Sequence, residues 1–150
     1  ENDDRTLAFY PLSPTGQQTV VLPLPPLLGK GFHGWESDGR ARWAWTRGEA
    51  QLVLHHMAAP PQGVRVTLGL RSLLPRRVDV VMDGQTVASA ELPRGRIQKL
   101  VFELRLSKQP TTVVLRTDTP AQPASQGDPR PLAMALMSFE MTDLQPPAPP

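Results

Sequence analysis

The chain lacks cysteine, contains only three tryptophans, one tyrosine and four phenylalanines, and has no long apolar run. The absence of cysteine excludes disulfides, thiolate metal sites and cysteine nucleophiles, although it does not fix the cellular compartment. No stretch approaches the roughly 20 apolar residues that a membrane-spanning helix needs. The first residues, Glu1–Arg5, are mostly charged or polar and do not resemble a signal peptide.

The chain also lacks a run of charges of one sign. The chain has 16 basic and 14 acidic residues, for a formal net charge of +2, and neither sign forms a block. A nucleic-acid-binding arm or an acidic tail would require such a block. We therefore expect no nucleic acid among the partners.

A sustained helical pattern is absent as well. Prolines or glycines interrupt each stretch before apolar residues can recur with a 3.6-residue period over three turns. The 150 residues include 18 prolines and 11 glycines, which predict short elements joined by many turns. The length is that of one domain with one core.

Strand patterns fill most of the chain instead. Asp83–Gly84 can supply the two positive-φ positions of a tight hairpin turn. We predict about eight strands, because apolar residues alternate or cluster in Thr19–Pro23, Ala41–Thr46, Ala50–His56, Val64–Arg71, the two arms of Val78–Ala88, Ile97–Leu106, Thr111–Asp118 and Leu132–Met141. Short strands at this spacing are typical of a two-sheet antiparallel β-sandwich, and we predict the jelly-roll kind.

The last predicted strand changes phase midway. Its apolar residues up to Leu136 share one face, whereas Phe139 and Met141 fall on the other. A β-bulge near Met137–Ser138 would restore a single buried face. The 13-residue stretch 119–131 before this strand is too long for a hairpin loop and predicts a crossing between the sheets.

The chain divides into three predicted segments. Residues 1–18 form an N-terminal extended segment, residues 19–144 the sandwich domain, and residues 145–150 a proline-rich linker. The proline tail leads us to expect a module of a longer polypeptide.

Catalysis needs a nucleophile with a base, paired carboxylates or an open metal site, and we find no such set. We therefore predict no catalytic residue, no cofactor and no metal site, and hence no enzyme. His55 and His56 are adjacent on a strand and point to opposite faces, so we do not expect them, with or without His33, to hold a metal ion. Glu36 and Asp38 lack the spacing of a calcium loop, and we interpret them as solvated turn carboxylates.

The aromatic residues cluster between Phe32 and Trp45, a segment that contains all three tryptophans. Tryptophan rings can stack on sugar rings, or they can fill a core, where each buries about 150–250 Å². Trp43 and Trp45 share one strand face, and we expect this pair to fill the core. For Trp35 both roles stay open.

These residues also carry a family resemblance. Gly31–Glu36, then Arg42–Thr46, then the apolar strand Ala50–Leu54 resemble a pattern of glycine, aromatic, two variable residues and glutamate, then Arg-Trp-(Ser/Thr), then an apolar strand. Met82–Gln85 matches an apolar-Asn-Gly hairpin, and Gly127–Ala133 matches a late Asp-x-Arg-x-Leu-Gly segment. The pattern is similar to that of jelly-roll, carbohydrate-binding-module-like accessory domains of bacterial glycosyltransferases and membrane sugar transferases.

The resemblance implies a non-catalytic accessory domain of a bacterial protein of glycan synthesis or transfer. Its partners would be a glycan or the transferase or membrane domain of the same polypeptide. Trp35, Glu36 and Arg42 are the predicted ligand-binding residues, near one end of the sandwich. The compartment is not determined, and an extracytoplasmic location is slightly favoured.

The alternative is a structural or protein-interaction sandwich that docks on its own polypeptide or on a partner subunit. Val81, Val101 and Val114 support it, because they fall on strand faces that we expect to be exposed. A solvated sheet would more often carry polar residues there.

Overall fold

A computed structural model describes residues 19–21, 26–54, 62–106, 109–125 and 127–144. These residues form thirteen strands and no helix, so the described part of the chain holds no helix that could cross a membrane. His55, His56 and the predicted terminal segments 1–18 and 145–150 lie outside the described residues. The division of the chain into three segments therefore stays a prediction.

In chain order the strands are β1 (Thr19–Val21), β2 (Leu27–Leu28), β3 (Phe32–Ser37), β4 (Arg42–Thr46), β5 (Ala50–Leu54), β6 (Gln62–Ser72), β7 (Arg76–Met82), β8 (Gln85–Leu92), β9 (Ile97–Leu106), β10 (Thr111–Thr117), β11 (Gln122–Ser125), β12 (Asp128–Leu132) and β13 (Met134–Leu144). The first sheet has the order β3-β4-β13-β6-β9, with β1 also paired to β13, and the second has the order β2-β5-β10-β7-β8. All strand pairs in both sheets are antiparallel. The predicted two-sheet antiparallel sandwich is confirmed. The count of about eight strands is too low, because short edge strands and a separate β11-β12 hairpin add to the long ones.

The core lies between the two sheets and is almost entirely aliphatic. Alternation determines which residues enter it, since successive side chains of a strand point to opposite faces. In β9, for example, Leu100, Phe102 and Leu104 are buried whereas Val101 and Glu103 are exposed. The largest fully buried side chains are Leu52, Leu54, Leu68, Leu70, Leu92, Leu106, Leu115, Leu132, Met134, Leu136, Met141 and Val64.

The predicted bulge in the last strand is confirmed. Leu136 pairs with Leu70 and Ser138 pairs with Gly69, so that Met137 is the extra residue of β13. Apolar residues on both sides of the bulge consequently face the core. Gly69 makes room for it, because a Cβ at that position would overlap Ser138 Oγ.

The stretch 119–131 connects β10 of the second sheet to β13 of the first, which confirms the predicted crossing. It is not a plain loop, since it contains most of the β11-β12 hairpin. Arg76 fixes its start. Arg76 is 3% exposed and forms no ion pair in the described part of the chain, and its guanidinium donates to the carbonyls of Thr119 and Pro120 and to Ser72 Oγ.

The Asp83–Gly84 turn is confirmed, with φ of 52° and 78° at its two residues. The three valines that were predicted to form an exposed docking face differ in their exposure. Val101 is 51% exposed, but Val81 is buried and Val114 is half-buried. Strict alternation along β7 would place Val81 outside, but the β7-β8 register shifts between Val80 and Val81, and both side chains are buried.

Candidate functional site

Trp43 and Trp45 lie on the outer side of the first sheet, where both are half-buried. Ala44 and Thr46, which alternate with them, are fully buried and face the second sheet. The expectation that the two tryptophans fill the core is therefore wrong.

The neighbours of β4 explain this orientation. Phe32 of β3 lies opposite Thr46, and both side chains are buried. The face of β4 that carries Thr46 and Ala44 is therefore the inner face. Thr46 Oγ1 accepts a hydrogen bond from the Met134 amide at 3.2 Å, and the Thr46 carbonyl accepts one from the Ala133 amide at 2.8 Å. Because a small polar side chain occupies the inward position, the indoles are left on the outer face.

A groove of about 280 Å³ runs along the two indoles, and we call it the tryptophan groove. In the sheet register Trp45 lies opposite Ala135, and Ala135 lies opposite Arg71. Two strand spacings of about 4.8 Å separate Trp45 from Arg71, and Ala135, which lies between them in the register, is fully buried. The lining residues are Asp38, Ala41, Trp43, Trp45, Arg71 and Met137.

The groove carries one charge of each sign. Asp38, in the turn between β3 and β4, accepts hydrogen bonds at Oδ1 from the amides of Ala41 and Arg40, both at 2.8 Å. These bonds lower the pKa of Asp38, which keeps the carboxylate ionised. Its Oδ2 accepts no hydrogen bond from any described residue. Arg71 is exposed and has no ion pair or side-chain hydrogen bond within the described part of the chain.

A cluster of charges, the Arg130 cluster, borders the groove beside β3. Arg130 donates to Glu36 Oε2 at 2.8 Å and to both oxygens of Asp128, at 2.9 and 2.8 Å. The Asp128 bonds, followed by those to Glu36, raise the pKa of Arg130, and the Arg130 bonds lower the pKa of Asp128 to about 2. Glu36 pairs with Trp43 in the β3-β4 register, so it lies on the same outer face. The cluster joins β12 to β3 beside the indoles.

The structure brings together two of the three predicted ligand-binding residues. Trp35 is 37% exposed, and Arg42 Cζ lies 4.6 Å from the centroid of its ring, a cation-π geometry. Trp35 pairs with the inward-facing Ala44, so Glu36 projects from the opposite face of β3 and contacts Arg130 instead. A binding role for Trp35, Glu36 and Arg42 stays a prediction.

Sequence reasoning missed Arg71 and Met137 as groove residues. The alternation in β6 did place Arg71 outward, and the predicted bulge did single out Met137. Their meeting with the indoles depends on the order β4-β13-β6, which no local pattern reveals.

A second depression, of about 480 Å³, lies apart from the indoles and has no aromatic lining. It is lined by Pro75, Arg76, Arg77, Glu91, Leu92, Pro93, Gln98 and Asp118. The buried Arg76 guanidinium is already held by two backbone carbonyls and a hydroxyl. In the described segments no three histidine, aspartate or glutamate side chains are grouped so as to hold a metal ion.

The sandwich is similar to solved structures. One is the C-terminal domain of EclA, described as a sugar-binding protein, with a TM-score of 0.50 and 10% identity over 73% of this chain and 83% of that one. The chain shares its fold with a sugar-binding domain. A Cry1Da tryptic core variant from Bacillus thuringiensis gives a TM-score of 0.51 and 10% identity over 89% of this chain but only 24% of that chain. A family 6 carbohydrate-binding module from Clostridium stercorarium, solved with cellobiose, gives 0.45 and 7% over 82% and 88%.

These identities show a common fold and nothing finer. The sequence matches no protein-family model, and no curated protein matches it.

Proposed function

We propose that this chain is a non-catalytic carbohydrate-binding domain and that the tryptophan groove binds the glycan. The observation that carries the proposal is the outward orientation of Trp43 and Trp45 on one strand. An indole presents a large apolar face to the C–H groups of a sugar ring and keeps an N–H donor for a hydroxyl. Two residues along a strand span about 7 Å, so neighbouring sugars of one glycan can each contact one indole.

The polar residues of the groove fit the same ligand. Binding sites combine apolar walls with a few polar groups that orient the ligand. Asp38 offers a carboxylate oxygen at the turn between β3 and β4, beside Trp43, and Arg71 offers a guanidinium opposite Trp45. Hydroxyls of a glycan lying between them can donate to the first and accept from the second.

The shared fold with the EclA C-terminal domain supports the proposal, because that domain is described as sugar-binding. The sequence resemblance to accessory domains of bacterial sugar transferases leads to a proposal about the larger protein. We propose that the domain serves a larger bacterial protein of glycan synthesis or transfer, alongside a transferase or membrane domain.

Trp35 and Arg42, the two predicted ligand-binding residues that lie together, form the second candidate site, and Glu36 lies on the opposite face of β3. Trp35 is the most exposed of the three indoles, which favours contact with a ligand. Against this, Arg42 already covers one ring face and Arg130 already holds Glu36. We therefore place the primary site in the tryptophan groove.

The alternative function, docking on another protein surface, rests on the outer face of β9. Ile97 and Val101 are 57% and 51% exposed there and are two of the five large exposed apolar residues among those described. Ile97 lies opposite Arg71 in the register, so this surface continues from the groove. Cross-linking of the full-length protein at Val101 would detect such docking, and a Val101→Ser substitution would weaken it.

Calorimetric titration with linear neutral and acidic hexasaccharides tests the proposal. Trp43→Ala and Trp45→Ala should each weaken binding by about tenfold or more, because losing a stacking contact costs about 1.4 kcal/mol or more. Trp35→Ala is the matched control and should leave the affinity within about twofold, a difference well below 1.4 kcal/mol. Binding that is lost with Trp35 and retained without Trp43 and Trp45 would move the site to the second candidate. No binding to any glycan would reject the function.

A further inference from the structure

Arg71 lines the tryptophan groove and forms no ion pair with any described residue. Four other arginines on the described surface are paired with carboxylates, namely Arg65 with Glu103, Arg77 with Asp79, Arg116 with Glu49 and Arg130 with Glu36 and Asp128. Arg71 has no such partner among the described residues, and its neighbours across the sheet are the apolar Ala135 and Ile97. The Arg71 guanidinium is therefore available to a ligand that enters the groove.

A second free cation lies beside it. Lys99 of β9 pairs with Gly69, two residues before Arg71 on β6, so the two cations are diagonal neighbours on the outer face. Such diagonal positions are about 7–8 Å apart. The exposed Lys99 side chain has no ion pair in the described segments.

The acidic groups of this face do not neutralise the pair. Glu36 and Asp128 are bound to Arg130, and Glu103 is bound to Arg65. Asp38 lies across the groove and binds two backbone amides. Glu140 lies opposite Thr67 on β6, two pairing positions along the sheet from Gly69. The groove is thus polarised, with its positive end opposite Trp45.

We infer that the glycan bound in the groove is anionic, a sugar bearing a carboxylate or a phosphate that Arg71 binds while the ring stacks on Trp45. This inference rests on the proposed function. A guanidinium binds carboxylate or phosphate oxygens through two parallel hydrogen bonds, a geometry that lysine cannot supply. Lys99 adds a longer-range attraction, which salt weakens. Asp38 at the other end accepts hydroxyls and disfavours a second anionic group beside Trp43.

The test compares three linear hexasaccharides with one backbone and linkage: a neutral one, its C6-carboxylated form and its C6-phosphorylated form. Glucan, mannan and galactan backbones are each run as such a set against the wild-type domain. We expect at least one charged form to bind at least about tenfold more tightly than its neutral counterpart, as charge-assisted hydrogen bonds allow. The affinities of the two charged forms distinguish a uronate ligand from a phosphorylated one.

Variants then locate the effect. Arg71→Gln should weaken binding of the preferred charged form about tenfold more than that of the neutral form, which loses only a contact to a hydroxyl, and Lys99→Gln should reduce mainly the salt dependence. Arg105→Gln is the matched control, since Arg105 lies on the same strand as Ile97 but eight residues, or about 27 Å, away from it. Thermal unfolding of each variant verifies the fold.

Equal affinity for neutral and charged forms, or a charge preference that survives Arg71→Gln, would overturn the inference and leave the proposed function standing. Glycan binding that does not require Trp43 and Trp45 would overturn both.

Discussion

Phe32 and Thr46 lie opposite each other across β3 and β4, and both are buried. This pair determines which face of β4 is turned to the core, and therefore which face carries the indoles. Phe32→Ala should destabilise the domain by about 3 kcal/mol, the cost of removing a buried phenylalanine ring. Urea unfolding of the wild-type and variant domains measures this loss of stability. Ile97→Ala, at a site 57% exposed, is the control and should change the free energy of unfolding by less than about 1 kcal/mol. Equal effects would show that Phe32 is not part of the core.

Arg76 provides the second prediction, because it binds the crossing between the sheets to the start of β7. Replacing it with Met removes hydrogen bonds to two carbonyls and to Ser72. We expect a loss of roughly 2–3 kcal/mol, since three acceptors, of which Ser72 is fully buried, lose a charged donor.

Arg77→Met is the matched control on the same strand. Arg77 is exposed and its ion pair with Asp79 lies at the surface, so the loss should stay below about 1 kcal/mol. A similar loss in both variants would contradict an anchoring role for Arg76.

The Arg130 cluster predicts a specific pH dependence. The pKa of Asp128 is lowered from 3.8 to about 2 by its hydrogen bonds with Arg130. A carboxylate with a lowered pKa stabilises the folded state fully above its unfolded pKa, and this contribution disappears as the pH falls through the folded pKa. The free-energy difference between wild type and Asp128→Asn should therefore shrink as the pH falls from about 4 to about 2.

Urea unfolding of both proteins at a series of pH values measures this difference. The other aspartates titrate in both proteins and cancel in the comparison. A difference that stays constant over the whole range would show that Asp128 is not held by Arg130 in solution.

Much of the fold follows from local patterns. The strict alternation of β9, the Asp83–Gly84 turn and the phase change before Phe139 each depend on residues close in sequence. These features follow from the two-residue period of side chains along a strand, from the positive φ that the turn residues tolerate, and from the need for one buried face. Each can be evaluated without knowing the partner strands. The predicted number of strands was too low because a two-residue edge strand such as β2 is too short to show an alternating pattern.

The site was harder to predict because long-range pairing decides it. Alternation places Trp43 and Trp45 on one face of β4 but does not say which face is inner, and the size of the indoles favoured the core. The Met134 amide, 88 residues away, donates a hydrogen bond to Thr46 and helps to hold the Thr46 face of β4 toward the core. Arg130 likewise reaches Glu36 across 94 residues.

The most direct test of the account follows the three indole N–H groups by NMR in the wild-type domain. Each tryptophan gives one indole resonance, and Trp→Phe variants assign them. Titration with the tightest-binding hexasaccharide should shift the Trp43 and Trp45 resonances progressively, with a midpoint equal to the calorimetric Kd, and leave that of Trp35 unchanged. A bound glycan that shifts Trp35 and leaves Trp43 and Trp45 unmoved would contradict the assignment of the site to the tryptophan groove.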